Sequence, residues 1–429
     1  MNPFVQQLMM MAAAANGGSD YWIAVTGTDT LKLFGVTIDN SGNIYAVGTS
    51  GADIILFQFS GTGDIQWQRL LAGANTDTGS GVTTDGTNVY IVGDSLSVGA
   101  SRVALLAKYN VSGTLQWQRS LASGSYAYFY GVALDGGGNV YAVGLQDPGG
   151  TGDDWIVAKY NSSGTLQWQR SLAGAIDRAY GVTVDGTGNV YVSGYTSATG
   201  GAGSNDLLLV KYSSTGTLQW QRSLGGAGND FGIKVARDSS DNIYVLGASQ
   251  SAGGAGDYDF ILVKYNSSGT LQWQRSLGGT GAEYGSGIAI DSGNNIYVAG
   301  TSNGSLLIAK YNSSGTIQWQ RLLSGAAVSF AVTTILDINI AVSSTSIHIS
   351  GTMVIGGAYQ GFLTKLPVDG SLTGTYGIWT YAAASMTDQA RSMTSSTRSL
   401  TSSTSSLTSS TSTLSSAASN LASSKIPVG

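Results

Sequence analysis

The side chains able to do acid, base or metal chemistry are few in this 429-residue chain, and most of them recur at a fixed interval. His348 is the single imidazole, Glu283 is the single glutamate, and there is no cysteine. A Ser-His-Asp relay or a histidine metal site therefore has no second member to build from, and thiol and disulfide chemistry are excluded. General acid–base work would fall to aspartates. Asp39, Asp85, Asp135, Asp185, Asp238 and Asp291 open a hairpin in successive units, and Asp53, Asp154, Asp206 and Asp259 precede a later strand. A catalytic pair is unique to one place, so this recurrence reads as turn capping, and no Asp/Gly/Asn turn has the spacing of a calcium cage. The expectation is a non-enzyme with no metal and no cofactor.

One stretch breaks the pattern. Tyr126, Tyr128 and Phe129 crowd a turn where other units carry Gly, Ala or Asp. Aromatic side chains so placed suit stacking on sugar rings or a protein contact, with interblade packing as the plain alternative. Gly-rich insertions at Gly149–Gly152, Gly200–Gly203 and Gly253–Gly256 lengthen connections between second and third strands, as on a face specialised for contacts.

The elements that position these residues follow from the repeat. Gln-Trp-Gln-Arg occurs six times, with its tryptophan at Trp67, Trp117, Trp168, Trp220, Trp273 and Trp319, at spacings of 50, 51, 52, 53 and 46 residues. Each unit contains short runs of Val, Ile, Leu and Tyr separated by turns such as Asn161-Ser162-Ser163-Gly164 and Asp185-Gly186-Thr187-Gly188-Asn189. That is four strands per unit, the blade of a β-propeller. The tyrosine strand recurs at Tyr45, Tyr90, Tyr141, Tyr191, Tyr244 and Tyr297, and Ile347-His348-Ile349-Ser350-Gly351-Thr352 supplies a seventh copy. His348 thus stands where the other blades have tyrosine and is read as a packed core residue. The seventh tryptophan strand is expected from Tyr21-Trp22-Ile23-Ala24, which would close the ring, or from the degenerate stretch after Lys365 and Gly370.

The Lys-Tyr-Asn-x-x-Gly, tryptophan-strand and Asp-x-x-Gly-Asn-x-Tyr-Val pattern resembles the bacterial SBBP-type β-propeller repeat over about residues 18–367, with Gln58 and His348 as departures. The tryptophan strands are also similar to those of quinoprotein propellers, which implies indoles docked between blades. The fold class expected is all-β, a seven-bladed propeller over 18–380, with an apolar segment at 1–17 and a Ser/Thr-rich heptad tail at 381–429. Such a resemblance implies a fold and leaves function open.

The first segment, with Phe4, Leu8, Met9, Met10 and Met11, lacks charge and is too short to span a bilayer. It is expected to anchor on a partner protein, or to cap its own propeller. The tail carries Met386, Met393, Leu400, Leu407, Leu414 and Leu421 at a period of seven. That is a coiled-coil seam, which Ser and Thr would sustain only by association, with a trimer as the expected state. An extended fibrous β-structure and an unstructured stalk are the alternatives.

The Asn-x-Ser sequons at Asn110, Asn161, Asn266 and Asn312 fall on turns and are read as turn residues. Only 10% of residues are charged, the net charge is −5, and 12 of the 20 basic residues belong to the repeat. No basic stripe remains to track phosphates, so nucleic-acid binding is not expected. Apolar end, propeller and associating tail together resemble the appendage proteins of bacterial viruses. The function expected is a virion structural and binding protein, a tail fibre or head decoration contacting other virion proteins and a host-surface glycan. A bacterial cell-surface or filament-forming adhesion protein and a glycan-active enzyme are the alternatives.

Overall fold

The computed structural model describes residues 31–390 apart from 97–100, 123, 150–151, 174–175, 198–204, 253–256, 326–327, 331–337 and 377–378. Outside that span it describes the strands Leu8–Met11, Tyr21–Val25, Thr394–Thr397, Thr401–Ser403, Thr408–Thr411, Ser415–Ala418 and Lys425–Ile426.

Local chemistry builds the hairpins. Asp135 Oδ1 accepts the backbone amides of Gly137 and Asn139 at 2.9 Å, while its Oδ2 accepts Asn139 Nδ2 at 2.8 Å and the Tyr141 hydroxyl at 2.9 Å. One carboxylate thereby caps a turn and holds the tyrosine of the next strand. Sequon asparagines cap the other hairpin, as where Asn161 Oδ1 accepts the Thr165 amide at 2.8 Å. Between these turns the strands Tyr126–Leu134, Val140–Asp147, Asp154–Tyr160 and Leu166–Ala173 pair in chain order, all antiparallel. The second strand is buried along its whole length, which is why it reads as a continuous apolar run rather than an alternating one.

The same four-strand order recurs in the sheets that open at Leu31, Asp77, Asp177, Asp230 and Glu283. The seventh blade takes Ile338–Val342, Ser346–Ile355 and Ala358–Pro367, with Val328–Phe330 as a second inner piece. Its outer strand is Tyr21–Val25, and Trp22 stands opposite Lys365 as Trp168 stands opposite Lys159. The chain is an all-β, seven-bladed propeller whose ends meet in one sheet.

What holds the blades in a ring is a set of side chains reaching into the next blade. Trp117 Nε1 donates to the Ser162 carbonyl at 3.2 Å and Arg119 Nε to the Gly164 carbonyl at 2.7 Å. Lys108 Nζ donates to the same Ser162 carbonyl at 3.2 Å. The pairs Trp67/Arg69, Trp168/Arg170, Trp273/Arg275 and Trp319/Arg321 repeat the arrangement. The hydrophobic clusters likewise cross blade boundaries: Tyr90, Leu106 and Leu121 pack with Phe129, Ile156 and Tyr160 of the following blade.

The tail is extended wherever it is described. Trp379–Ala383, Thr387–Ala390, Thr394–Thr397, Thr401–Ser403, Thr408–Thr411 and Ser415–Ala418 pair antiparallel with the outer strands of six blades, taken in reverse order around the ring. The heptad helix expected for 381–429 is absent from these described stretches. Edge strands with unpaired amides and carbonyls offer a threonine-rich segment more hydrogen bonds than a Ser/Thr helix would retain. Met393, Leu400, Leu407, Leu414 and Leu421 lie outside the described residues. Met386 is described and sits in no helix. Its amide donates to Gln320 Oε1 at 3.1 Å, its carbonyl accepts Gln320 Nε2 at 2.9 Å, and its side chain packs against Leu277 and neighbours. Of the expected anchor residues, Leu8, Met9, Met10 and Met11 form a strand on Tyr21–Val25 of their own chain, also paired with Lys425–Ile426, while Phe4 lies outside the described residues.

Two expectations follow for stability and assembly. Gly164 has φ of 78° and a Cβ there would come within 2.9 Å of the Trp117 indole. Gly164→Ala should therefore cost about 1–3 kcal/mol in denaturant unfolding, and an unchanged midpoint would refute the interblade lock. A chain ending at Ala384 should self-associate through its uncovered outer strands while the full chain stays monomeric in light scattering. A trimeric full chain with a monomeric truncation would instead restore the coiled-coil seam.

Candidate functional site

The innermost strands begin, and the second strands end, on one face of the ring, and there the repeat is broken by aromatic residues. Along Tyr126–Leu134 the two-residue period of a strand turns Tyr126, Tyr128 and Tyr130 to one side and Ala127 and Phe129 to the other. Phe129 is fully buried among the blade contacts. It is therefore not a ligand contact, which corrects the expectation that grouped it with Tyr126 and Tyr128: the strand period, unread at the level of composition, sends it inward.

Tyr126 and Tyr128 open a continuous arc of rings. Centroid separations are 5.7 Å from Tyr126 to Tyr128, 6.0 Å to Tyr130, 5.3 Å to Tyr180 and 6.0 Å to Tyr195. The arc continues over 4.9 Å to Phe231, 6.0 Å to Tyr258 and 5.1 Å to Tyr284. It crosses four consecutive blades. Tyr180 and Tyr195 are buried, and the other six rings are part-exposed. Six of its members, Tyr130, Tyr180, Tyr195, Phe231, Tyr258 and Tyr284, were not singled out by sequence reasoning. The available signal was an aromatic residue directly followed by glycine within the inner strand, in Tyr130-Gly131, Tyr180-Gly181, Phe231-Gly232 and Tyr284-Gly285.

Charged groups border one end of the arc. Arg102 pairs with Asp94 and lies 6.0 Å from the Tyr128 ring centre, a cation–π contact. Phe34, Thr78, Ser80, Asp94, Arg102, Tyr128 and Tyr130 line a hollow of about 330 Å³, space for a single sugar ring. Tyr126 donates to Asp153 Oδ1 at 2.8 Å, and that bond pushes its hydroxyl up to about 12. Arg178 Nε reaches Asp153 Oδ2 at 2.6 Å. Burial pushes Asp94 and Asp154 up to about 6, with Asp147 and Asp153 adding like-charge repulsion at Asp154.

The opposite face carries the hairpin-capping aspartates Asp39, Asp85, Asp135, Asp185, Asp238 and Asp291, and His348. His348 is buried, with Nε2 3.0 Å from the Ser346 hydroxyl, and burial together with nearby Lys365 pulls its pKa down to about 3. It is a neutral core residue beside a cavity of about 530 Å³ lined by Asp39, Ser343 and Lys365 among others. Among the described residues no group of three or more His, Asp or Glu is placed to hold a metal ion. No helix among them is long and apolar enough to cross a membrane.

Residues 169–201 and 272–308 match the family described as Beta-propeller repeat, SBBP. The regulatory protein FlaEY of Caulobacter vibrioides is 28% identical over 116 residues, 24% of this chain and 12% of that protein. The uncharacterized WD repeat-containing protein L264 of Acanthamoeba polyphaga mimivirus is 25% identical over 125 residues, 24% of this chain and 9% of that protein. The chain thus spans about a tenth of the length of these curated relatives. Among solved structures, selenomethionine-substituted virginiamycin B lyase from Staphylococcus aureus aligns over 80% of this chain and 98% of its own, with a TM-score of 0.52 at 10% identity. At that identity the likeness is one of fold alone.

Asp94 and Asp154 bind protons more tightly in the folded chain than in the unfolded one, so the stability they contribute is complete below about pH 4 and lost as pH rises through about 6. Thermal midpoints should therefore fall between pH 5 and pH 7, and Asp154→Asn should flatten that slope and raise the midpoint at pH 7. A variant with the wild-type slope would show that Asp154 titrates normally.

Proposed function

We propose that this SBBP-type, seven-bladed β-propeller repeat protein is a non-enzymatic binding and structural module whose aromatic face docks on a host-surface glycan. The observation that carries the reading is the eight-ring arc from Tyr126 to Tyr284. Sugar rings present patches of C–H on one face and hydroxyls at the rim. Tyrosines supply both a flat apolar surface and a hydroxyl, at little conformational entropy. Arg102, Asp94 and Asp153 at one end of the arc supply charge-assisted partners for ring hydroxyls. The arc spans several blades, which favours an extended chain of sugars over a single small molecule.

The setting we propose is a virion, as a tail fibre or head decoration, with a bacterial cell-surface adhesion protein as the alternative. With no cysteine in the chain, persistence outside a cell would rest on the ring closed through its own ends rather than on covalent staples. A second reading, a glycan-active enzyme, is favoured by Asp154, a carboxylate held near 6 beside the arc.

Binding to immobilised bacterial surface polysaccharides separates these readings. Tyr128→Ala and Tyr258→Ala should each weaken binding about tenfold, near 1.4 kcal/mol of stacking, without changing the melting midpoint. Equal binding by both variants would remove the glycan reading. New reducing ends or unsaturated products, lost in Asp154→Asn, would make the protein an enzyme.

A further inference from the structure

The central channel holds a second break in the repeat, independent of the arc. Each innermost strand places one residue at the same ladder position against the second strand, in six of the blades just past a register shift. These are Gly35 opposite Val47, Gly81 opposite Val92, Gly131 opposite Val143, Gly181 opposite Ser193 and Gly287 opposite Ala299. The glycines are required by crowding around the axis: a Cβ at Gly81 would lie 2.9 Å from the Tyr130 carbonyl oxygen, and one at Gly131 would lie 2.7 Å from that of Tyr180. In the fifth blade the position is Lys234, opposite Leu246, and in the seventh it is Asn339, opposite Ser350.

An otherwise glycine ring therefore carries one ammonium and one carboxamide. Lys234 makes no hydrogen bond or ion pair with any described residue. Its surroundings are Val36, Val82, Val132, Val182 and Val235, the tyrosines Tyr130 and Tyr180, and the glycines, around a void of about 120 Å³. Burial alone pulls its pKa down to about 8. Burial pushes the Tyr130 and Tyr180 hydroxyls well above their usual range, so neither supplies a counter-charge. By accessible surface Lys234 is part-exposed, open to this void rather than sealed in the core, and a cation in such apolar walls is costly without an anion, whereas glycine meets the structural need at this position in five blades. The innermost strands are paired on one side only, so backbone groups of their free edges face the same axis.

We propose that the channel is a binding site for a small oxyanion, carboxylate or phosphate in class, held by the Lys234 ammonium and the Asn339 carboxamide. Asn339 Nδ2 already donates to the Phe34 carbonyl, which fixes the side chain at the axis. The void accepts a group of acetate or phosphate size and excludes a whole sugar ring. Tyr130 lines both this void and the hollow beside Arg102. A carboxylate carried on a sugar is thus a second source of the same chemistry.

The test is a thermal titration of the full chain with acetate, phosphate and glucuronate, at matched ionic strength in chloride. Wild-type protein should gain a saturable rise in melting midpoint with at least one of the three. Lys234→Met should show no such rise and, with the unpaired charge gone, should melt higher than wild type in chloride alone. A response to glucuronate alone assigns the carboxylate to an acid sugar, and a response to acetate or phosphate assigns a free anion. No response in wild type, or an equal response in Lys234→Met, overturns the site. Should Lys234→Met fold poorly, Lys234→Gln and Asn339→Ala are read in the same titration: loss of the response in either keeps the site, and full retention in both removes it. The Tyr128 and Tyr258 variants, which touch the arc and not the channel, should keep the anion response whatever becomes of glycan binding.

Discussion

The structure depends on a clamp between neighbouring blades. The repeat tryptophan and arginine of one blade close over the Asn-x-x-Gly hairpin of the next, with the indole against a left-handed glycine and the guanidinium on that glycine's carbonyl. The glycine meets two demands at once: a backbone conformation that disfavours side chains, and a surface flat enough for an indole. Lysine adds a bond to the same hairpin, and its stem passes over the tyrosine held by the capping aspartate, as Lys159 lies 5.1 Å from the Tyr141 ring. Twelve of the 20 basic residues belong to this repeat. The ring is consequently rigid, nearly uniform and chemically quiet around most of its circumference.

Function in such a body concentrates where the repeat yields. The inner-strand starts are free of the clamp, which closes on the hairpins between third and fourth strands, and aromatic residues have accumulated there on adjacent blades. Blades three to six supply the arc. Asp147 and Asp153 have no counterparts in the repeat and stand at its end. The axis below is walled by glycine and valine, so one lysine and one asparagine dominate its electrostatics. In a low-dielectric channel even a single unpaired charge decides what can enter.

The outer rim presents the opposite problem. Seven outer strands would leave their hydrogen-bonding edges open, a standing invitation to other chains. In the described stretches the tail lies along those edges, its strands beginning at Thr387, Thr394, Thr401, Thr408 and Ser415. A step of seven residues carries the chain from one blade to the next. The same number describes two turns of a supercoiled helix, and sequence periodicity alone does not distinguish the two.

The sequence by itself determined the blade. The spacing of Trp67 through Trp319, the Asp-Gly-Asn turns and the buried Val/Ile/Tyr runs are local patterns with local causes, and each pointed to four strands per unit and seven units. It also determined that His348 would be core, because a lone imidazole at a tyrosine position has nothing to react with. The tertiary structure alone decided which residues meet. Tyr130, Tyr195 and Tyr284 lie in different blades and join one arc only when those blades stand side by side, while Phe129, adjacent to Tyr128 in the chain, turns away into the core. Lys234 looks like an ordinary strand lysine until the register places it at the axis with the glycines. Side-chain direction and ring closure are long-range properties, and no window of the sequence contains them.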